Sequence, residues 1–213
     1  MRTILLTLGL CFVMFAISCG DGNVIIRQDP AIQAAEDSAI IINYLADLGY
    51  EGDEIGSTTS GVRYVILKPG TGAAINESDI VTFDYTGKLL SDTIFDTSIK
   101  AVADSIIAVV AADTVGKTDI EEQLNILNSF PESKNYQSFT FTYSSTGWTL
   151  SSSGFIQGYV DGISTTFNQV NVGGAVLIVI PSQLAYGNRS VGNLIDPNSV
   201  LAFELYPTAS VSQ

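Results

Sequence analysis

The chain has 213 residues, with 9 Lys+Arg against 22 Asp+Glu and no His, for a formal charge of −13 at pH 7. That charge lacks the basic footprint that phosphate binding needs, so no nucleic-acid partner is expected. The absence of His removes the Ser-His-Asp triad, the Cys-His pair and His-ligated metal sites. Hydrophobic residues make up 46% and charged ones 15%, a balance that buries a core and predicts one globular domain with appendages.

Arg2 and the apolar run 4–17 have the form of an export signal, with a basic start and a stretch too short to span a bilayer as a helix. Ala16 and Ser18 are small residues flanking a cut before Cys19, and Ala-Ile-Ser-Cys resembles the lipobox that bacterial lipoprotein signal peptidase recognises. Residues 1–18 are therefore predicted to leave as a lipoprotein signal, with lipid carried on Cys19. Plain secretion with a free Cys19 is the competing reading. Because Cys11 leaves with the signal, the mature chain holds one thiol and forms no internal disulfide. Residues 20–28 read as a tether.

Asp29-Pro30 is a helix start, with Asp as N-cap and Pro at the first helical position. Ile32, Ala35, Ala39, Ile42 and Leu45 recur at helical spacing until Gly49, which predicts an amphipathic helix over 30–48. Residues 51–60, rich in Gly, Ser, Thr and acid, read as a linker. Together 19–60 form a tether and N-terminal helix, and the domain proper is expected over 61–207, with 208–213 as a tail. Val62, Tyr64 and Ile66 share one face of a strand; Val81, Phe83 and Tyr85 alternate with Thr82, Asp84 and Thr86 in a second. Phe139, Phe141 and Tyr143 alternate in a third, 176–180 is a continuous apolar run, and 200–206 closes the set. Between them, Val102, Ile106 and Val109 are helically spaced. Thr118 and Glu121 form a capping box for a helix through Leu127. These two helices read as an insertion over 99–138, and the Ser-rich stretch 144–153 reads as a loop.

Little here supports covalent or metal chemistry. The serines lie in loops without a Ser-x-x-Lys or Gly-x-Ser-x-Gly context, and no calcium-loop run of acids is present. Neither metal nor cofactor is expected. What stands out is the placement of aromatic residues on strands and beside turns.

The segment 81–98, Val-Thr-Phe-Asp-Tyr-Thr-Gly-Lys-Leu-Leu-Ser-Asp-Thr-Ile-Phe-Asp-Thr-Ser, resembles the first signature of FKBP-type peptidyl-prolyl isomerases. Further signatures follow in order: Gly-Phe-Ile-Gln-Gly-Tyr-Val-Asp-Gly-Ile at 154–163, Leu-Ile-Val-Ile-Pro-Ser-Gln-Leu-Ala-Tyr-Gly at 177–187, and a closing strand at 195–205. The resemblance covers nearly all of 61–207. It implies an α+β fold, an FKBP-like bent antiparallel β-sheet wrapped around a short helix, here carrying an N-terminal helix and a helical insertion. It also implies a catalytic set of Tyr85, Phe95, Asp96, Ile156, Tyr186 and Phe203. Phe155, Tyr159, Leu194 and Ile195 would bind substrate, with Phe139 or Phe141 from the facing strand. Asp96 is expected to pair with the Tyr85 hydroxyl. Three departures accompany the match: Tyr159 replaces the usual Trp at the pocket floor, Asp196 replaces the first Pro of Ile-Pro-Pro, and the connection before Phe155 is far longer than the family's shortest version.

The expectation is an exported peptidyl-prolyl isomerase, lipid-anchored in the bacterial cell envelope through Cys19. Its partners would be proline-containing unfolded or nascent exported proteins. The N-terminal helix is expected either to pair two copies as a homodimer or to dock on its own domain. The rival reading is a non-catalytic FKBP-like binding module or chaperone of a cell-envelope complex, working through the insertion or the N-terminal helix.

Overall fold

Strand β3 (Ile80–Leu89) organises the molecule, because both of its edges are used. A computed structural model describes residues 29–113, 120–146 and 156–212. Along one edge β3 pairs with β7 (Leu201–Val211) over its whole length, from Ile80 opposite Val211 to Leu89 opposite Leu201. Along the other edge it pairs first with β5 (Phe139–Thr142) and then with β4 (Ile94–Thr97). The sheet continues from β7 through β6 (Ala175–Ile180) and β2 (Arg63–Lys68) to the two-residue β1 (Gly56–Ser57), and every pairing is antiparallel.

The sheet is covered on both faces, and β6 shows why its sequence is apolar without alternation. Val176, Ile178 and Ile180 join the inner core with Tyr159, Ile163 and Phe167, from α4 (Gln157–Thr166) and the turn after it. Leu177 and Val179 point the other way, to Ile41, Tyr44 and Leu45 of α1 (Pro30–Asp47). A strand buried on both faces has no place for a polar residue. Helix α4 comes close enough to the sheet that two glycines are required. A Cβ on Gly158 would lie 2.2 Å from the Ile180 side chain, and one on Gly162 would lie 2.8 Å from Ile178.

Helix α1 starts as expected, with the Asp29 side chain accepting from the Ala31 N–H at 2.9 Å and Pro30 in the first turn. Its buried face differs from the predicted one. Gln33, Asp37, Ile41, Tyr44 and Leu45 face the sheet, whereas Ile32, Ala35, Ala39 and Ile42 face outward. The physical reason is Asp37, which is fully buried and whose carboxylate accepts from the Ser182 N–H at 2.8 Å, the Ser182 hydroxyl at 2.7 Å and the Gln33 amide at 2.8 Å. Three donors make this polar residue a docking point, so the rotation of the helix follows hydrogen bonding as well as hydrophobicity. The helix therefore docks on its own domain.

The five predicted strands are present, and two short ones join them. β1 lies in the stretch read as a linker, so the sheet begins at Gly56, and β7 runs to Val211 through what was read as a tail. The connection from β4 to β5 contains α2 (Lys100–Ala112) and α3 (Ile120–Ser129), the predicted insertion helices. Thr118 of the expected capping box lies outside the described residues, as do Phe155, Cys19 and residues 147–153 of the Ser-rich loop. The insertion is fastened at both roots to one carboxylate: Asp84 Oδ1 accepts from Ser98 Oγ at 2.9 Å and from Ser138 Oγ at 2.7 Å.

Candidate active site

Phe203 is the centre of the candidate site. It sits on β7 opposite Gly87 of β3 and Ile178 of β6, and is 6% exposed. Its ring centroid lies 4.9 Å from Tyr159, 5.6 Å from Phe95 in an edge-to-face arrangement, and 6.5 Å from Tyr85. Four elements thus bring one aromatic side chain each to a single place, β3 giving Tyr85, β4 Phe95, α4 Tyr159 and β7 Phe203. Gly87 makes room for two of them. A Cβ there would stand 2.7 Å from the Phe203 ring and 2.8 Å from that of Phe95, a clash that no ordinary contact tolerates.

Asp96 accepts the Tyr85 hydroxyl at 2.8 Å, the bond expected from the sequence. Its other oxygen accepts from the Lys134 ammonium, which comes from the loop that ends the insertion. Burial, reinforced by the charge and hydrogen bond of Asp96, pushes the Tyr85 phenol well above its ordinary value. Burial also raises Tyr159, with Tyr85 and Asp96 adding to it, and raises Tyr186 together with the charge of Asp96. These phenols consequently stay protonated as hydrogen-bond donors. Tyr186 follows the turn 182–184, and Ile156 caps the N-terminus of α4; both pack against the inner core while remaining partly exposed. The first N–H groups of a helix have no partner inside it, so the start of α4 carries donor capacity.

Of the two strand phenylalanines, Phe139 lies on the site's side, 6.5 Å from Tyr85 and 37% exposed. Phe141 packs on Phe83 and Phe167, at 5.6 and 6.1 Å. Ile195 is buried in the inner core. Leu194 lies beside the insertion. It lines a cleft of about 350 Å³ between the β3–β4 turn and α3, where the neighbouring Asn193 donates to Asn125 of α3 at 3.0 Å.

Sequence reasoning missed three residues. Phe83 is fully buried and touches Phe139, Phe141, Tyr159 and Phe167, joining the site to the core. Gly87 and Lys134 were also passed over. Gly87 is legible as a lone glycine inside a strand pattern, a sign of close approach. Lys134 has no local signal, since its partner is 38 residues away.

Residues 108–206 match the family model described as FKBP-type peptidyl-prolyl cis-trans isomerase. The match begins inside the insertion, so it reaches β7 with Phe203 but leaves out β3, which pairs with β7, and β4, which pairs with the other edge of β3. The chain is 29% identical over 147 residues to the outer membrane protein MIP of Legionella longbeachae, an alignment covering 69% of this chain and 43% of that protein. It is 27% identical over 151 residues to the FKBP-type 22 kDa peptidyl-prolyl cis-trans isomerase of Escherichia coli, covering 71% of this chain and 50% of the relative. This chain therefore spans half or less of the length of either relative. Among solved structures, the crystal structure of FkpA from Escherichia coli aligns at a TM-score of 0.48 and 22% identity, covering 85% of this chain and 62% of that one. In its matched segment and along its relatives, the chain is similar to FKBP-type peptidyl-prolyl cis-trans isomerases.

Proposed function

We propose that the protein is a peptidyl-prolyl cis-trans isomerase that binds X-Pro segments among Tyr85, Phe95, Tyr159 and Phe203. The observation that carries this reading is the convergence of these rings around Phe203, with a hydrogen-bonded carboxylate at the edge and no nucleophile needed. Rotation about X-Pro must break amide resonance, a barrier of about 18–20 kcal/mol, and the planar amide is the more dipolar state. An aromatic site that strips water from the amide favours the twisted state over the planar one. In this reading the Tyr186 hydroxyl and the Ile156 N–H would hold neighbouring carbonyls, while the Tyr85–Asp96 pair would set the polarity of the edge. Phe139, Ile195 and Phe155 would complete the walls.

The substrates would be proline-containing exported proteins, whose uncatalysed isomerisation takes tens to hundreds of seconds. The lipobox-like sequence before Cys19 supports export and anchoring in the bacterial envelope through lipid on that cysteine; the mass of the mature N-terminal peptide tests this. The outward stripe of Ile32, Ala35, Ala39 and Ile42 on α1 supports pairing of two copies, for which sedimentation of the wild type against an Ile32→Lys, Ile42→Lys variant is the test.

An X-Pro peptide titrated against the protein should shift the ring resonances of Tyr85, Phe95, Tyr159 and Phe203 together and speed its own cis/trans exchange. The second reading, a binding module, is favoured by the exposure of Val109, Ile120 and Leu124 on the insertion, at 71%, 74% and 53%. Shifts confined to the insertion, with no change in exchange rate, would support it.

A further inference from the structure

The insertion does not simply stand beside the aromatic site; it supplies a charge to it. Asp96 Oδ2 accepts the Tyr85 hydroxyl, and Asp96 Oδ1 accepts the Lys134 ammonium. Both carboxylate oxygens are therefore engaged, one by the site's own strand and one by a loop 38 residues further along the chain. The ammonium is fixed from other directions as well. It lies 5.1 Å from the centre of the Phe130 ring and 5.6 Å from that of Tyr136, and Phe130 is itself only 3% exposed. A backbone turn from Pro131 to the Lys134 N–H, at 2.9 Å, shapes the loop. The two roots of the insertion hang on Asp84, the residue before Tyr85.

The Lys134–Asp96 pair is partly exposed, at 20% for the Lys134 side chain and 36% for that of Asp96, so water screens it in part and what it contributes is a charge-assisted hydrogen bond rather than the offset of a buried charge. Lys134 also forms a shared wall between two clefts. One, of about 310 Å³, contains Tyr85, Ser98 and Phe139; the other, of about 590 Å³, contains Ile107, Phe130 and Tyr136 of the insertion. We infer that Lys134 is a positioning residue of the active site, through which the insertion holds Asp96, and with it the Tyr85 hydroxyl, in the geometry that turns over X-Pro. The inference rests on the isomerase reading for its effect on rate, but its geometric half does not.

The test uses the full chain as wild type, Lys134→Gln, Lys134→Arg and, as a control, Lys100→Gln, an insertion lysine whose partner is the exposed Asp104. Two quantities are read: kcat/KM for cis/trans exchange of an X-Pro peptide, and solvent exchange of the Tyr85 hydroxyl proton by NMR. Lys134→Gln should lower kcat/KM about three- to tenfold, the scale of one charge-assisted hydrogen bond at a partly exposed site. It should also speed exchange of the hydroxyl proton. Lys134→Arg should restore both, and Lys100→Gln should change neither. Wild-type values for Lys134→Gln in both measurements, or an arginine variant no better than glutamine, would overturn the inference. A wild type without isomerase activity would contradict the isomerase reading instead, and hydroxyl exchange would still decide whether Lys134 holds Asp96 and Tyr85.

Discussion

Gly87 and Tyr186 separate the shape of the site from its polarity. Gly87→Ala places a methyl group within 3 Å of both Phe95 and Phe203. Overpacking of this kind costs about 1–3 kcal/mol, so denaturant unfolding should show that loss, and the isomerase rate should fall more than the folded fraction does. Tyr186→Phe removes one hydroxyl from a half-buried side chain and keeps the ring. The expected result is unchanged unfolding with a rate about three- to tenfold lower, the worth of a single hydrogen bond. Burial holds the phenols of Tyr85, Tyr159 and Tyr186 above their ordinary value. None of the three therefore ionises between about pH 6 and 9, and the rate should be flat across that range in an assay corrected for the peptide's own exchange. At this scale the sequence was informative where a residue carried a family position, as Tyr85 and Asp96 did. It was fainter at Gly87, where the signal is a lone glycine in a strand pattern, and silent at Lys134, whose partner is 38 residues away.

Helix α1 shows how an element can be recognised and its orientation misread. Its ends were legible because Asp29, Pro30 and Gly49 act locally. Its face was not, because the apolar count favoured Ile32, Ala35, Ala39 and Ile42, whereas the tertiary structure satisfies Asp37 with three donors and buries Ile41, Tyr44 and Leu45 beside it. Asp37→Ala strands the Ser182 N–H, the Ser182 hydroxyl and the Gln33 amide in a buried place. It should destabilise the docked helix by about 3 kcal/mol, read as faster proteolysis within 30–48 while the sheet amides stay protected from hydrogen exchange. The short strands were missed for another reason. β1 has two residues, too few to display alternation, and β4 reads Ile-Phe-Asp-Thr, two apolar residues followed by two polar ones, with no alternation to display; both exist because a neighbouring strand offers a free edge.

For the whole molecule, acid is the expected weakness. Glu204 is raised by burial, but the Tyr206 hydroxyl and Lys88 outweigh this and leave it below its ordinary value. Asp79 is lowered by the Asn76 N–H and the Ser210 hydroxyl. Carboxyls with depressed folded values bind protons more readily when unfolded, so their stabilisation is present above the unfolded values and disappears as pH falls through the folded ones. The denaturant midpoint should therefore drop between about pH 5 and pH 3, and Glu204→Gln should flatten that slope. The overall architecture was readable because β3, β6 and β7 carry apolar patterns long enough to identify them. The arrangement of the insertion was not, since it depends on Asp84 and Asp96 meeting residues far along the chain.

The cis/trans exchange rate of a short X-Pro peptide, measured by NMR with catalytic amounts of the protein, tests the central claim most directly when a Tyr186→Phe, Phe203→Ala variant, checked for folding by hydrogen exchange, is run beside the wild type. Acceleration by the wild type and its loss in the folded variant is the predicted result. A folded wild type that leaves the exchange rate unchanged would contradict the account.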